Sequence, residues 1–155
     1  MPYNFLFPVH NSRRKKEQKG KKRMQLVAKY KKYTVLFTIG AAGYGCIEIL
    51  WRGRTHWSML IAGGICFVLF SRIEERFHDL RMLYKCILCS GAITLVEFLF
   101  GCVFNLLLEQ QVWDYSQIPF NLAGQVCLLY SVLWGLLSAA FLPLAGKINR
   151  KLETV

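Results

Sequence analysis

Residues 33–51, YTVLFTIGAAGYGCIEILW, and residues 86–108, CILCSGAITLVEFLFGCVFNLLL, decide the fold of this chain. Each is close to the ~20 apolar residues that an α-helix needs to cross a bilayer. Each also carries one carboxylate, Glu48 in the first and Glu97 in the second. A carboxylate in hydrocarbon costs roughly 2.5–3.5 kcal/mol on insertion scales, so it faces a protein interior or a wet cavity and marks a candidate site. Residues 57–73 and 122–142 are two further apolar runs. The pattern predicts an all-α integral membrane protein with four transmembrane helices in two hairpins. Four such runs leave almost no amphipathic helix to cover them in a soluble protein.

Composition agrees once charge and apolar residues are separated along the chain. Apolar residues make up 54% and mean hydropathy is +0.31, yet the net charge is +11. Of the 20 Lys and Arg, 11 lie between Arg13 and Lys32. No nucleic-acid-binding motif accompanies this block, so nucleic acid is not expected as a partner. A basic block before an apolar span holds that end in the cytoplasm and attracts anionic lipid. The loops complete the count: 18 Lys and Arg fall on one side of the predicted spans, and only Arg52 and Arg54 on the other. Both termini are therefore expected in the cytoplasm, with the chain in the cell inner membrane. Three regions follow: a basic tail over 1–32, a four-helix unit over 33–146 and a short tail over 147–155. The stretch RRKKEQKGKKR reads as too charged to fold alone. Trp51, Trp57, Trp113 and Tyr115 read as an aromatic belt at the outer interface.

Polar residues on the spans define the candidate site. Ser90, Thr94, Glu97, Gly101 and Asn105 fall on one helical stripe, a packing face or a polar path. Glu48 precedes Arg52 by four residues, the favourable order for a helical ion pair. Thr38, Ala41, Gly45 and Glu48 form a similar stripe. In the second outer loop Pro119 is expected to set the entry to span four, Asn121 to cap it and Gln125 to lie one turn inside. Gly124, Ser131, Gly135 and Ser138 then form a small-residue stripe on that span. Glu48, Glu97, Asn105, Asn121 and Gln125 are the candidates for a path or assembly face. Arg52, His56, Trp57, Trp113, Asp114, Tyr115 and Ser116 would form its outer mouth. His56 could pair with Ser58 or Ser116, but no spacing motif supports catalysis. The six cysteines all lie in or beside apolar runs and read as packing residues, and no metal or cofactor is expected. A weak internal repeat pairs Gly63–Cys66 with Gly124–Cys127 as a Gly-x-x-Cys in the second span of each half.

The strings YGCIEILWRGRTHWSM (44–59), WDYSQIPFNLAGQVCL (113–128) and the Trp134 that follows resemble a family of small four-span bacterial membrane proteins, the ABC-transporter type IV permeases. The resemblance implies a membrane subunit that partners a separate ATPase chain. The sequence has no Gly-x-x-x-x-Gly-Lys-Ser/Thr loop for holding nucleotide phosphates. It also implies a homo-oligomer, because four spans are few for half a pump; residues 72–85 read as a solvated turn between helices or, less favoured, as a short coupling helix. A second reading is a non-transporting membrane scaffold or sensor, its polar helix faces mediating assembly.

Overall fold

The computed structural model describes residues 8–153. Helix α1 runs Pro8–Arg52, α2 Trp57–Arg76, α3 Met82–Gly101 and α4 Leu128–Glu153. A π-helical segment, Cys102–Leu107, continues α3 without a break. Four helices among the described residues are long and apolar enough to cross a membrane. Helices are the expected choice there, because each satisfies its own backbone groups where no water can.

Burial is inverted relative to a soluble protein. Leu50, Leu107 and Leu136 are 88%, 75% and 67% exposed, while Glu48, Lys85, Glu97 and Gln125 are buried. So much outward apolar surface would be an aggregation liability in water and is the ordinary surface of a protein in lipid.

Helices α1 and α2 cross on glycine. A Cβ on Gly40 would sit 2.6 Å from the Gly63 carbonyl oxygen and 2.3 Å from the Phe67 Cβ. A Cβ on Gly63 would sit 2.3 Å from the Tyr44 Cβ, and one on Gly64 2.6 Å from the Phe37 ring. Association in lipid relies on van der Waals packing, and small residues let the backbones close to that range. The face that α1 turns inward is therefore Leu36, Gly40, Tyr44, Gly45 and Glu48, while Thr38 is exposed and bonds back to the Thr34 carbonyl. The central core joins Leu36, Phe67, Phe70, Ile93 and Leu142 with Cys66, Cys86 and Cys89. These cysteines pack as apolar residues, free and buried.

At the end of the bundle carrying the α2–α3 turn, ion pairs close the helix ends. Lys85 is buried and its ammonium lies 2.9 Å from Glu74, while Lys32 reaches Glu75 at 2.7 Å. Arg72 and Lys32 stand over the Tyr33 ring at 6.0 and 5.5 Å. The segment 72–85 forms no separate coupling helix. Helix α2 ends at Arg76, a turn covers 77–81, and α3 starts at Met82.

The helix ends add detail to the sequence reading and correct the start of span four. The basic stretch RRKKEQKGKKR is helical, because extending an existing helix adds one hydrogen bond per residue and avoids a new nucleus. No break in α1 or α4 marks positions 32 or 146. Helix α4 starts at Leu128 rather than near 122, so Asn121 does not cap it and Gln125 is not inside it. Residues Asn121–Leu122 and Val126–Cys127 instead pair as a short antiparallel ladder, the one departure from an all-α fold among the described residues. Gly124–Cys127 therefore belongs to a hairpin, and the proposed repeat has no second span to occupy.

The crossing predicts a sharp contrast. Gly63→Val should lower unfolding free energy in detergent by about 1–3 kcal/mol, the usual cost of overpacking. Gly43→Ala and Gly91→Ala, where an added Cβ meets nothing within 4 Å, should change it by less than about 0.5 kcal/mol.

Candidate functional site

The site is assembled at the end of the bundle opposite the ion pairs, where residues 108–127 fold back over the helices. This segment is held tightly. Glu109, Gln111, Phe120 and Ala123 have φ of 53°, 48°, 57° and 52°, a left-handed conformation that side chains disfavour. Such residues cost about 1–3 kcal/mol each and persist only where their surroundings over-determine them. Gly124 has φ 67°, and a Cβ there would approach Asp114 Oδ1 to 3.0 Å. Asp114 accepts from the Ser116 amide at 2.8 Å and from the Ser116 hydroxyl at 2.9 Å. Asn121 donates to the Ile118 carbonyl at 2.8 Å and accepts from the Gly124 amide at 3.0 Å. Its role is to shape the loop.

Asn105, on the π-helical segment, anchors this loop to α3. Its amide nitrogen donates to the Trp113 carbonyl at 2.9 Å and to Gln125 Oε1 at 2.8 Å. Its oxygen accepts from the Val112 amide at 2.7 Å. The Trp113 indole donates to the Gln125 carbonyl at 2.8 Å, and Gln125 Nε2 donates to Ala123 at 2.9 Å. Gln125 lies against Gly101, where a Cβ would come within 2.5 Å of its side-chain oxygen. The wide π turn carries Asn105 at a place where such segments commonly mark function.

Trp113 is 7% exposed, so it is a plug residue and not part of the interfacial belt. Its backbone carbonyl and its indole are both committed inside the protein. Trp51, Trp57 and Phe120 are exposed as expected of interfacial anchors. His56 is the N-cap of α2: its Nδ1 lies 2.7 Å from the Ser58 hydroxyl and 3.4 Å from the Ser58 amide. That geometry is a helix cap, and the Trp57 ring meets Phe104 edge-on at 5.2 Å.

The two acids lead separate networks. Glu48 pairs with Arg52 and accepts from the Thr55 hydroxyl at 2.6 Å. Arg52 also donates to the Val112 carbonyl at 3.2 Å, tying α1 to the loop. The expected helical pair is present, and it carries a second duty that i,i+4 spacing alone did not reveal. Glu97, 5% exposed, accepts from the Trp134 indole at 2.8 Å. One and two turns before it on α3 the stripe meets α4: Thr94 donates to Ser131 Oγ at 2.9 Å, and Ser90 to the Ser131 carbonyl at 2.5 Å.

A cleft of about 670 Å³ opens at this end. It brings together Asn105, Gln125, Arg52, Trp113, Asp114, Tyr115 and Ser116, but not His56, Trp57, Glu48, Glu97 or Asn121. It also takes in Arg54 and Tyr130, which sequence reasoning did not select. Arg54 could have been noticed as one of two cations in its loop; nothing singled out Tyr130, whose ring stacks on Tyr115 at 4.7 Å. Burial, with the Glu97 carboxylate adding to it, holds the Tyr115 phenol above its ordinary range, so it is neutral at physiological pH. Among the described residues no group of three or more His, Cys, Asp or Glu could hold a metal ion.

A family described as Putative ABC-transporter type IV matches this chain over residues 35–153, which takes in the C-terminal part of α1, the other three helices and the loop. No curated protein and no solved structure matches it.

Asn105 offers the cleanest test of the loop's anchorage. Asn105→Ala should leave the Val112 amide, the Trp113 carbonyl and Gln125 Oε1 without their Asn105 partner, at about 1–3 kcal/mol for each group kept from water. Amide exchange across 109–127 should rise while helical content holds. Asn105→Asp keeps the acceptor for Val112 and loses both donors, so it should give an intermediate exchange rate.

Proposed function

We propose a function from the premise that the chain belongs to the ABC-transporter type IV family. It is a permease-like membrane subunit, and its sequence carries no ATPase loop. The proposal is that it sits in the inner membrane as two helical hairpins with both termini in the cytoplasm, so the 109–127 loop and its cleft face outward. The distribution of Lys and Arg, 18 against 2, supports this orientation. Asn105 and Gln125 line the outer end of a polar path, and Glu97 lies deeper on the same face of α3. Glu48 holds Arg52 at the mouth. Lys29, Lys31 and Lys32 sit within about two turns of the span and bind anionic headgroups. More than one copy assembles, and a separate ATPase chain supplies the energy.

The observation that supports this reading is the burial of the Glu97 carboxylate on α3, one turn from Gly101, where Gln125 packs and bonds to Asn105 at the cleft. A plain packing seam needs Ser, Thr and small residues; a carboxylate in it costs more than the amide that could replace it.

Single cysteines at Gln110 and Gln117, in a chain freed of its native cysteines, should react with an impermeant reagent on intact cells. Cysteines at Lys19 and His78 should stay protected. Labelling at Lys19 without Gln117 would invert the orientation. Extraction in mild detergent should recover a second chain bearing a nucleotide phosphate loop; repeated recovery of the protein alone would instead favour a scaffold.

A further inference from the structure

The cleft at the loop end is unevenly supplied with hydrogen-bonding groups. Its one carboxylate, Asp114, already accepts from Ser116 through both oxygens. The amide groups of Asn105 and Gln125 are engaged with each other and with backbone. Arg52 gives one nitrogen to Glu48 and another to Val112. Arg54 differs. It lines the cleft, it is exposed, and it makes no hydrogen bond or ion pair among the described residues. Gln111 adds a neutral amide to the lining, so the uncommitted charge of the cleft is one guanidinium with five N–H donors in a fixed fork. On another part of the wall, Tyr115 and Tyr130 stack with rings 19° from parallel and offer a flat apolar surface. The volume, about 670 Å³, is that of a small-molecule site.

We propose that this cleft binds a small organic oxyanion, a carboxylate or phosphate on a planar apolar body. Arg54 takes the anionic end in a bidentate pair, and the Tyr115–Tyr130 pair takes the body. A cation is disfavoured here, because the lining holds two guanidinium groups against the single carboxylate of Asp114. The proposal rests on the reading of this face as the mouth of a permease, and it names the chemistry admitted there. The oxyanion has two sources, a dissolved solute or the headgroup of an anionic lipid, and both would meet the same guanidinium.

The test uses the purified full chain in neutral detergent, titrated calorimetrically with benzoate, phenyl phosphate, benzyl alcohol and benzyltrimethylammonium. Benzoate and phenyl phosphate should bind at least tenfold more tightly than the alcohol or the cation. Arg54→Ala, an exposed change that leaves the fold intact by circular dichroism, should weaken both at least tenfold, and Arg54→Lys less. Tyr130→Ala should weaken benzoate and spare inorganic phosphate. Displacement of benzoate by phosphatidylglycerol micelles would identify the headgroup as the source; no displacement would identify a solute. Binding of the cation as tight as benzoate, wild-type affinity in Arg54→Ala, or no binding to folded protein would each overturn the proposal. Failed binding with Gln117 still labelled from outside would remove this inference alone. Retained binding with Gln117 protected would remove the outward-facing mouth and leave the oxyanion site standing.

Discussion

Irregular backbone at the edge of a bilayer has few partners for its amides and carbonyls, and this constraint shapes the whole loop end of the molecule. Non-helical chain at that depth is tolerated only where protein or a wet cavity satisfies it. Asn105 meets the demand for residues 112 and 113, Arg52 for the Val112 carbonyl, and the Trp113 indole for the Gln125 carbonyl. Three separate helical or loop elements therefore converge on one short stretch of main chain. The strained φ values at four non-glycine residues are stable because these bonds fix the segment from several sides.

The same economy governs the interior. Contacts between helices are made by small residues where backbones must approach, and by hydroxyls and single indole donors where polar atoms are buried. Gly40 and Gly63 bring α1 against α2, while Ser131 accepts from two residues of α3. Glu97 accepts from the Trp134 indole, an aromatic side chain that bridges the middle of the α3–α4 seam. Lys85 and Glu74 show the alternative at the opposite end: a buried ammonium tolerated because a carboxylate sits at 2.9 Å.

The spans, the polar stripe on α3 and the Glu48–Arg52 pair were all legible in the sequence, because helical period and charge spacing are local properties. The start of α4 was not. NLAGQV is apolar enough to read as helix, but Asn121 bonds within its own turn, and Gly124 adopts a positive φ that ends any helical reading. Trp113 was misplaced for a related reason. A tryptophan beside a span is usually interfacial, and only the fold-back of the loop turns it inward. The glycine crossing was hidden because Gly40, Gly63 and Gly64 become contacts only when two helices are placed together. Asn105 was selected as a polar residue on a stripe, yet its service to loop backbone depends on a π turn that no residue pattern announced.

Helix α1 is continuous from Pro8 to Arg52. At 1.5 Å per residue its 45 residues extend about 68 Å, of which the bilayer accounts for about 30 Å. Measured along the helix axis, the distal basic turns lie farther from its apolar part than the ~8 Å over which salt screens charge. They form a lever arm continuous with the apolar part of the helix. The far end of that lever is Arg52, bonded to Val112 at 3.2 Å. An axial displacement of a single residue's rise, about 1.5 Å, would be enough to break that bond. Whatever grips the basic end is thereby mechanically connected, through one unbroken rod, to the latch of the cleft on the other side of the bundle.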